Sequence, residues 1–250
     1  MIFDSKVIGH EVFNFLDADR LIVHSKFNKG FNIVNERQNM IFIGTDENGL
    51  FPFGINVDQQ TKSWLLDDVE IGSEIITKNN CLYFDHHILK LNGNILNFKD
   101  KLVPQLAFVD EIKKLDFRAY ENTDFNKQKV DLLLAELTNG NDDEEMLRYF
   151  IGRGSGLTPT GDDILIGMLF VHRIVPFIDL SKIAQIKKIL QEDCTTLVSK
   201  QFLNLALDGV FSTRLMDLLD ETTLSLNIAR LLKVGSSSGK DTAYGIFSAL

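Results

Sequence analysis

The sequence has few of the residues on which stapled domains and nucleic-acid-binding proteins depend. Its two cysteines, Cys81 and Cys194, are far apart and belong to no CxxC or Cys/His cluster, which argues against a zinc site and a disulfide framework. Acidic residues outnumber basic ones by 35 to 26, and the formal charge of −9 removes the attraction that nonspecific DNA or RNA binding requires. We therefore expect no nucleic-acid partner.

Long apolar segments are also missing. The most apolar stretch, residues 164–178, is interrupted by His172, Arg173 and Pro176 and is too short to span a bilayer. The first residues include acidic side chains and lack the basic region and long apolar run of a secretory signal. The sequence predicts a cytoplasmic protein without a membrane partner, and a buried core helix at residues 164–178.

The spacing of apolar residues changes along the chain. In the first half, short runs rich in Ile, Val and Phe are separated by turn residues, which predicts strands. After Pro104, apolar residues recur at three- and four-residue spacing, which predicts helices. We predict an α+β fold, with a mainly β domain at residues 1–120 and a helical-bundle domain at residues 121–250. Strands are predicted at residues 21–24, 31–34, 40–43, 71–77, 82–84 and 88–91, and helices at 105–115, 128–137, 144–151, 180–208 with one break, 212–219, 223–233 and from about Ser238.

One local prediction concerns residues 89–96. Asn92 and Gly93 stand there between two short apolar runs. An Asn-Gly pair supplies the positive φ angles that a tight primed turn needs. The sequence therefore predicts a β-hairpin at this point.

Two glycine-rich loops in the helical half, residues 152–163 and 235–241, are the candidate functional site. Glycines at this density cost backbone entropy unless positive φ angles or close approach of the bare backbone to a ligand makes use of them. In each loop a hydroxyl residue is followed three positions later by an acid, which is the spacing of a capping box at a helix start. The pairs are Thr160 with Asp163 and Ser238 with Asp241.

The two loops share the form hydroxyl, Gly, any residue, Asp, three residues, Gly. The final glycines of this repeat are Gly167 and Gly245, one helical turn past the acids. Glycines at these positions would let a neighbouring backbone come close. We expect the two helix starts to face one another.

Binding of an anion is the first interpretation of these loops. Helix N-termini present unpaired N–H groups and a partial positive charge, which suit phosphate, carbamoyl phosphate or a small carboxylate. Arg153 and Lys240 would add positive charge, and Arg153 is the expected charge-assisted donor. The spacing matches neither the P-loop nor the dinucleotide fingerprint. The candidate ligand-binding residues are Gly152, Arg153, Gly154, Gly156, Thr158, Thr160, Gly161, Ser237, Ser238, Gly239 and Lys240.

The acids of the loops allow a second interpretation. Asp162, Asp163 and Asp241 are hard oxygen ligands of the kind that Mg²⁺ accepts, so magnesium is a possible cofactor. These three acids and Arg153 are also the candidates for catalysis. A third interpretation makes each loop a helix cap and nothing more. Thr195, Thr196 and Ser199 recur at helical spacing, and they would either line the same pocket or bond to their own helix carbonyls.

The motifs GRGSGLTPTGDDILIG, TTLVSKQFLNLALDGVFS and VGSSSGKDTAYGI resemble the AllH-like family, and SKFNKGFNI and FPFGINV are similar but less distinctive. The named member of that family is a subunit of oxamate carbamoyltransferase. The resemblance implies carbamoyl transfer between oxalurate and phosphate, giving oxamate and carbamoyl phosphate, together with two other subunits. Ser155 and Thr160 stand where many relatives have proline and serine.

Two alternatives remain beside the transferase. GDD and, distantly, GKDTAYG look like the paired acidic motifs of ADP-ribosylglycohydrolases, which are helical magnesium enzymes. The chain would then be a metal-assisted hydrolase. The other alternative is a non-catalytic subunit that contributes to activity only in the presence of its partners.

Overall fold

The computed structural model describes residues 1–16, 20–99 and 107–250 of the chain. Contacts between residues divide it into two compact units, Met1–Asp100 and Lys101–Leu250. The first contains a sheet and the second is helical, which confirms the predicted α+β fold. Phe108 and Ile112 belong to the core of the second unit. A division into independently folding domains at residue 120 stays a prediction.

The described part of the first unit contains a ten-stranded mixed sheet. All five residues of Gly30–Val34 are buried, and this strand lies near the middle of the sheet, as its run of apolar and aromatic residues favours. The six predicted strands are confirmed, although the one predicted at residues 71–77 begins at Glu74. The strands are β1 (Ile2–Asp4), β2 (Val7–Gly9), β3 (Arg20–Phe27), β4 (Gly30–Val34), β5 (Met40–Gly44), β6 (Gly54–Asn56), β7 (Glu74–Lys78), β8 (Cys81–Tyr83), β9 (Ile88–Lys90) and β10 (Asn94–Leu96), in the spatial order β1-β9-β8-β7-β3-β4-β5-β6-β2-β10.

The hairpin predicted at residues 89–96 is wrong. β9 pairs in parallel with β1, and β10 pairs in parallel with β2, so the strands on either side of Gly93 do not pair with each other. The backbone N–H of Gly93 donates to Ser5 Oγ at 2.9 Å, and a Cβ on Gly93 would lie 2.7 Å from the carbonyl carbon of Lys6. The Asn-Gly pair therefore lets the chain pass close to the link between β1 and β2, a non-local contact that turn propensity does not reveal.

Two helices of the first unit were not predicted. α1 (Val12–Phe15) is a single turn, and α2 (Gln59–Asp68) begins where the side chain of Asp58 accepts a hydrogen bond from the N–H of Thr61 at 2.8 Å. α2 has a weak apolar pattern, and Leu65 is its one fully buried large side chain. Periodicity therefore gave little signal for it.

The helical unit is built around the helix Thr160–Ile174. Twelve of its 15 residues are buried, which is the environment expected of a helix that is apolar on all sides. This confirms the predicted core helix, although it ends at Ile174, two residues before Pro176 would interrupt its hydrogen bonds. The helices of this unit are α3 (Ala107–Ile112), α4 (Lys127–Thr138), α5 (Glu145–Phe150), α6 (Thr160–Ile174), α7 (Leu180–Ile189), α8 (Leu197–Leu207), α9 (Thr213–Met216), α10 (Leu224–Leu231) and α11 (Ser238–Ser248).

The cysteines and the apolar segments were the subject of two predictions from composition. Cys81 and Cys194 are free thiols, and both are half-buried rather than fully buried. Across residues 1–16, 20–99 and 107–250, no helix has the length and apolar character needed to cross a membrane.

Candidate functional site

Helices α6 and α11 cross at the two final glycines of the repeated motif. A Cβ on Gly167 would lie 2.2 Å from the carbonyl oxygen of Thr242, and a Cβ on Gly245 would lie 2.0 Å from that of Ile164. The two contacts are reciprocal, because Ile164 and Thr242 occupy equivalent places in the repeat. Glycine is required at both positions, and the crossing brings the two helix starts together as the sequence predicted.

The first glycines of the repeat bring the preceding helices close. A Cβ on Gly161 would lie 2.0 Å from the carbonyl oxygen of Phe150, and a Cβ on Gly239 would lie 1.8 Å from that of Leu231. Phe150 and Leu231 are the last residues of α5 and α10. The repeat is therefore a packing motif on both sides of the crossing, and part of its glycine content has a structural reason.

The predicted capping boxes are wrong. The N-cap positions of α6 and α11 are Pro159 and Ser237, and neither helix has a side-chain cap hydrogen bond. Thr160 and Ser238 are the first helical residues instead. Thr160 Oγ1 donates to Asp241 Oδ2 at 3.2 Å, so a hydroxyl of one motif binds the acid of the other. This bond joins the two motifs, whereas the prediction had each hydroxyl and acid bonding to the backbone of its own helix start.

The loops are joined directly where they approach the helices. Thr158 Oγ1 and Ser238 Oγ lie 2.7 Å apart in a hydrogen bond. We call residues 154–158 and 235–238, held together by this bond, the loop junction. It brings together candidate residues that are 80 positions apart in sequence.

A pair of buried acids lies at the starts of the two helices. Asp163 is 4% exposed and Asp241 is 2% exposed. Asp241 Oδ2 accepts from Thr160, and its Oδ1 accepts a hydrogen bond from the phenol of Tyr120. Tyr120 also stacks on Tyr244, with ring centroids 4.1 Å apart. Sequence reasoning missed Tyr120, because nothing local links it to an acid 121 residues later.

Asp163 is the less well satisfied acid of the pair. Its Oδ2 is buried and has no hydrogen-bond partner among the described residues. Burial raises the pKa of Asp163 well above the usual carboxyl range, and the nearby charge of Asp241 raises it further, whereas the hydroxyls of Ser238 and Thr158 act in the opposite direction. Burial and the hydrogen bond to Asp241 likewise raise the pKa of the Tyr120 phenol. Both shifts favour the protonated form of the group.

The raised pKa of Asp163 predicts how stability depends on pH. The protonated carboxyl is favoured by the folded state, so its contribution is fully present below the unfolded pKa of about 4 and is lost as pH rises through the higher folded value. Asp163→Asn cannot ionise and should lack this loss. We expect the difference in free energy of unfolding, variant minus wild type, to become more positive with rising pH, measured by urea unfolding from about pH 4 to about pH 8.

An exposed acid supplies the control for this measurement. Asp193 lies on the surface of the same unit, so Asp193→Asn should give a pH profile parallel to that of the wild type. Parallel profiles for Asp163→Asn and wild type would show that Asp163 titrates like a solvated carboxyl.

Asp162 is directed to a different set of partners. Its Oδ1 accepts from the backbone N–H of Gly152 at 2.8 Å, and its Oδ2 accepts from Ser199 Oγ at 2.6 Å and from the hydroxyl of Thr195. Burial raises its pKa, and these three hydrogen bonds oppose the rise. Asp162 thus ties the first loop to the start of α8, where Thr196 caps that helix and donates to the carbonyl of Leu157.

The two basic candidates have different surroundings. The Arg153 guanidinium stacks on the ring of Tyr149 at 3.9 Å, donates to the Tyr149 carbonyl at 2.8 Å and pairs with Asp124 at 3.1 Å. Lys240 is exposed, and its ammonium makes no ion pair or hydrogen bond within the described chain. Of these two side chains, Lys240 is the one that a ligand could bind without breaking an existing contact.

Unpaired backbone N–H groups, which we predicted at the helix N-termini, lie at the first residue of each helix, Thr160 and Ser238, and in the loops before them. In the first turn of α6, the N–H groups of residues 161–163 donate to the carbonyls of Arg153 and Pro159. In α11, those of residues 239–241 donate to Val234 and Ser237. Within the described residues, the N–H groups of residues 154–158 and 235–237 donate no hydrogen bond. These eight amides belong to the loop junction.

The backbone of the loops shows why glycine is frequent there. Gly152, Gly154, Gly156 and Gly235 have positive φ angles between 61° and 123°. At Gly156, where φ is 92°, a Cβ would meet nothing within 4 Å, so this part of the loop is open. Positive φ, one expected use of glycine, occurs in these loops, whereas close approach of the backbone to a ligand stays a prediction.

The three acids named as possible magnesium ligands do not form one site. Among residues 1–16, 20–99 and 107–250 there is no group of three or more His, Cys, Asp and Glu residues arranged to hold a metal ion. Asp162 uses both of its oxygens on Gly152, Thr195 and Ser199, away from the pair formed by Asp163 and Asp241.

Comparison with known families accounts for both halves of the chain. A family model described as oxamate carbamoyltransferase subunit AllH matches residues 150–250, and one described as the AllH family N-terminal domain matches residues 4–96. The chain belongs to the AllH family. The first of these matches begins at the end of α5 and contains both glycine-rich loops, whereas Tyr120 lies outside both matches. No curated protein and no solved structure gives a significant match.

Proposed function

We propose that this AllH-family chain acts as a subunit of a carbamoyltransferase of the oxamate type. We further propose that its loop junction binds phosphate, the phosphate end of carbamoyl phosphate, or a small carboxylate. The observation that carries the proposal is the convergence of two loops with unpaired amides at one hydrogen bond, Thr158 to Ser238. Consecutive backbone N–H groups in loops with positive φ angles form concave sites that suit anions.

The electrostatic surroundings support an anionic ligand. α6 and α11 both begin at the junction, so the positive ends of two helix dipoles lie beside it. Lys240 adds a charge, and burial, which raises the pKa of Asp163, favours a neutral carboxyl that would not repel an anion. The family description calls the AllH protein a subunit, and we propose that other protein subunits complete the transferase.

Binding of phosphate to the isolated chain is the direct test. Phosphate, carbamoyl phosphate, oxamate and Mg²⁺ should be added separately in thermal unfolding and calorimetric titrations. A ligand at 100 times its dissociation constant should stabilise the fold by about 2.7 kcal/mol. Binding of phosphate or carbamoyl phosphate supports the anion site, whereas stabilisation by Mg²⁺ alone would favour the hydrolase.

Lys240 provides the mutational prediction for this site. Lys240→Ala should weaken phosphate binding about threefold to tenfold, because an exposed charge a few ångströms from a ligand contributes on the order of 1 kcal/mol. The effect should shrink at high salt. Arg153→Ala should weaken binding less, since its guanidinium is engaged with Tyr149 and Asp124.

The control is Lys113→Ala, which removes an equal charge from an exposed residue after α3. It should leave the phosphate affinity unchanged. Equal weakening by Lys113→Ala and Lys240→Ala would mean that only net charge matters. If the chain binds none of these ligands alone but does so after co-purification with partner subunits, the site is completed by partners; no binding in either form would contradict the proposal.

A further inference from the structure

A line of polar groups connects the buried acid pair to the loop junction. Tyr120 and Thr160 donate hydrogen bonds to Asp241. Burial and the charge of Asp241 raise the pKa of nearby Asp163, and the hydroxyls of Thr158 and Ser238 lower it. The same two hydroxyls hydrogen-bond each other at 2.7 Å. The line therefore runs from inside the helix crossing to the loops that carry the unpaired amides.

The unpartnered oxygen of Asp163 is the feature that packing does not explain. Its Oδ2 is buried without a partner in the described chain, and leaving a buried polar atom unpaired is costly. Asp241, by contrast, accepts two hydrogen bonds, an arrangement suited to a carboxylate. Two adjacent carboxyls shielded from water do not both ionise, and a proton on Asp163 makes its carboxyl a donor.

We propose that Asp163 and Asp241 share one proton, and that the hydroxyls of Thr158 and Ser238 pass it between this pair and an oxyanion bound at the loop junction. This inference rests on the proposed function. A hydroxyl accepts one proton while donating another, which suits it to such a relay. Thr158 and Ser238 are the groups that touch the ligand, and the acid pair acts through them.

The charged and titratable groups around Asp163 favour retention of the proton. Asp162 stands beside it on α6, Asp241 is close to it on α11, and the Tyr120 phenol hydrogen-bonds to Asp241. None of these groups carries a positive charge. In the described chain, no Lys, Arg or His side chain hydrogen-bonds or ion-pairs with either acid.

The relay satisfies the proton requirements of carbamoyl transfer from an amide nitrogen to phosphate. A phosphate oxygen bonds to the carbamoyl carbon, and the bond from that carbon to the amide nitrogen breaks. Hydrogen phosphate loses one proton and the leaving nitrogen gains one, so the step needs both an acceptor and a donor. The ionised member of the pair receives the first proton from the phosphate through the hydroxyls. The protonated member supplies the second through the same hydroxyls to the leaving nitrogen, so the pair ends with one proton, as it began.

Difference infrared spectroscopy of the full chain at neutral pH tests the proposal directly. The C=O stretch of a protonated carboxylic acid should be present in the wild type and lost in Asp163→Asn. Inorganic phosphate should shift this band in the wild type, because the ligand changes the hydrogen bonding of the relay. Thr158→Val and Ser238→Ala should each keep the band and lose its shift with phosphate. A wild-type band that does not respond to bound phosphate would overturn the relay.

The outcomes separate failure of this inference from failure of the proposed function. Calorimetry on the same samples shows whether phosphate binds: no binding contradicts the anion site, whereas binding without a band shift contradicts only the relay. If Asp163→Asn does not fold, Asp241→Asn provides the second variant. It removes the repelling charge, so the Asp163 band should disappear at lower pH than in the wild type. An unchanged pH for that loss would also contradict the shared proton, and Asp193→Asn should leave both readouts unaltered.

Discussion

Gly167→Ala is expected to lower the free energy of unfolding by roughly 3 kcal/mol, at the upper end of the cost of overpacking a core. The new Cβ would lie 2.2 Å from the carbonyl oxygen of Thr242 and 2.8 Å from the backbone nitrogen of Ile246. Both neighbours are backbone atoms, which cannot rotate away as a side chain can, so α6 and α11 must separate. The loss should exceed the gain of about 1 kcal/mol in helix propensity from glycine to alanine. Urea unfolding of the full chain measures it.

The repeat supplies matched controls for this substitution. Gly245→Ala should have a similar cost, because its Cβ would lie 2.0 Å from the carbonyl oxygen of Ile164. The double variant should cost less than the sum of the two, since one separation of the helices relieves both contacts. Gly156→Ala meets open space and should cost only about 1 kcal/mol through its positive φ. A Gly167→Ala protein as stable as the wild type would show that the helices do not cross in this way.

Asp162→Ala is expected to cost roughly 2–4 kcal/mol, because it leaves a half-buried backbone N–H and two hydroxyls without their acceptor. The hydroxyls of Thr195 and Ser199 can rotate toward other acceptors, but the N–H of Gly152 cannot. Asp162→Asn should cost only about 1 kcal/mol, because its amide oxygen still accepts from Gly152 and its amide nitrogen can donate to the hydroxyls. Chemical unfolding at constant pH compares the two variants.

The contrast between the variants also separates a structural role from a ligand-binding one. If Asp162 only ties the first loop to α8, Asp162→Asn should retain phosphate binding. Ser199→Ala should cost less than Asp162→Ala, since it removes one of three hydrogen bonds. An Asp162→Ala protein with wild-type stability and no phosphate binding would contradict the structural role and assign the residue to the ligand.

Local signals were enough to locate the parts of the site. Glycine density and hydroxyl-to-acid spacing placed helix starts at residues 160 and 238, and the structure confirms both. The apolar run that follows predicted the buried core helix, because burial of a whole helix requires side chains that are apolar on every face. The repeat indicated that the two starts face one another, because both final glycines needed a close neighbour.

The sequence alone did not show that two adjacent acids have different partners. Asp162 and Asp163 are the same residue type at consecutive positions, but successive residues of a helix point about 100° apart around its axis. One therefore bonds to Thr195 and Ser199 at the start of α8, and the other lies near Asp241 on α11. The magnesium hypothesis treated them as one set and overlooked this divergence.

What the sequence determined by itself was the α+β class, the strands and helices with strong periodicity, and the position of the two loops, because each depends on residues close together in the chain. The partners of those loops depend on contacts between distant segments. Only the tertiary structure placed Tyr120 on Asp241, joined Thr158 to Ser238 and set Gly93 against Ser5 rather than in a hairpin. Hydrogen bonding and burial at these points follow from how whole elements pack, and packing decides which partners each of two neighbouring acids has.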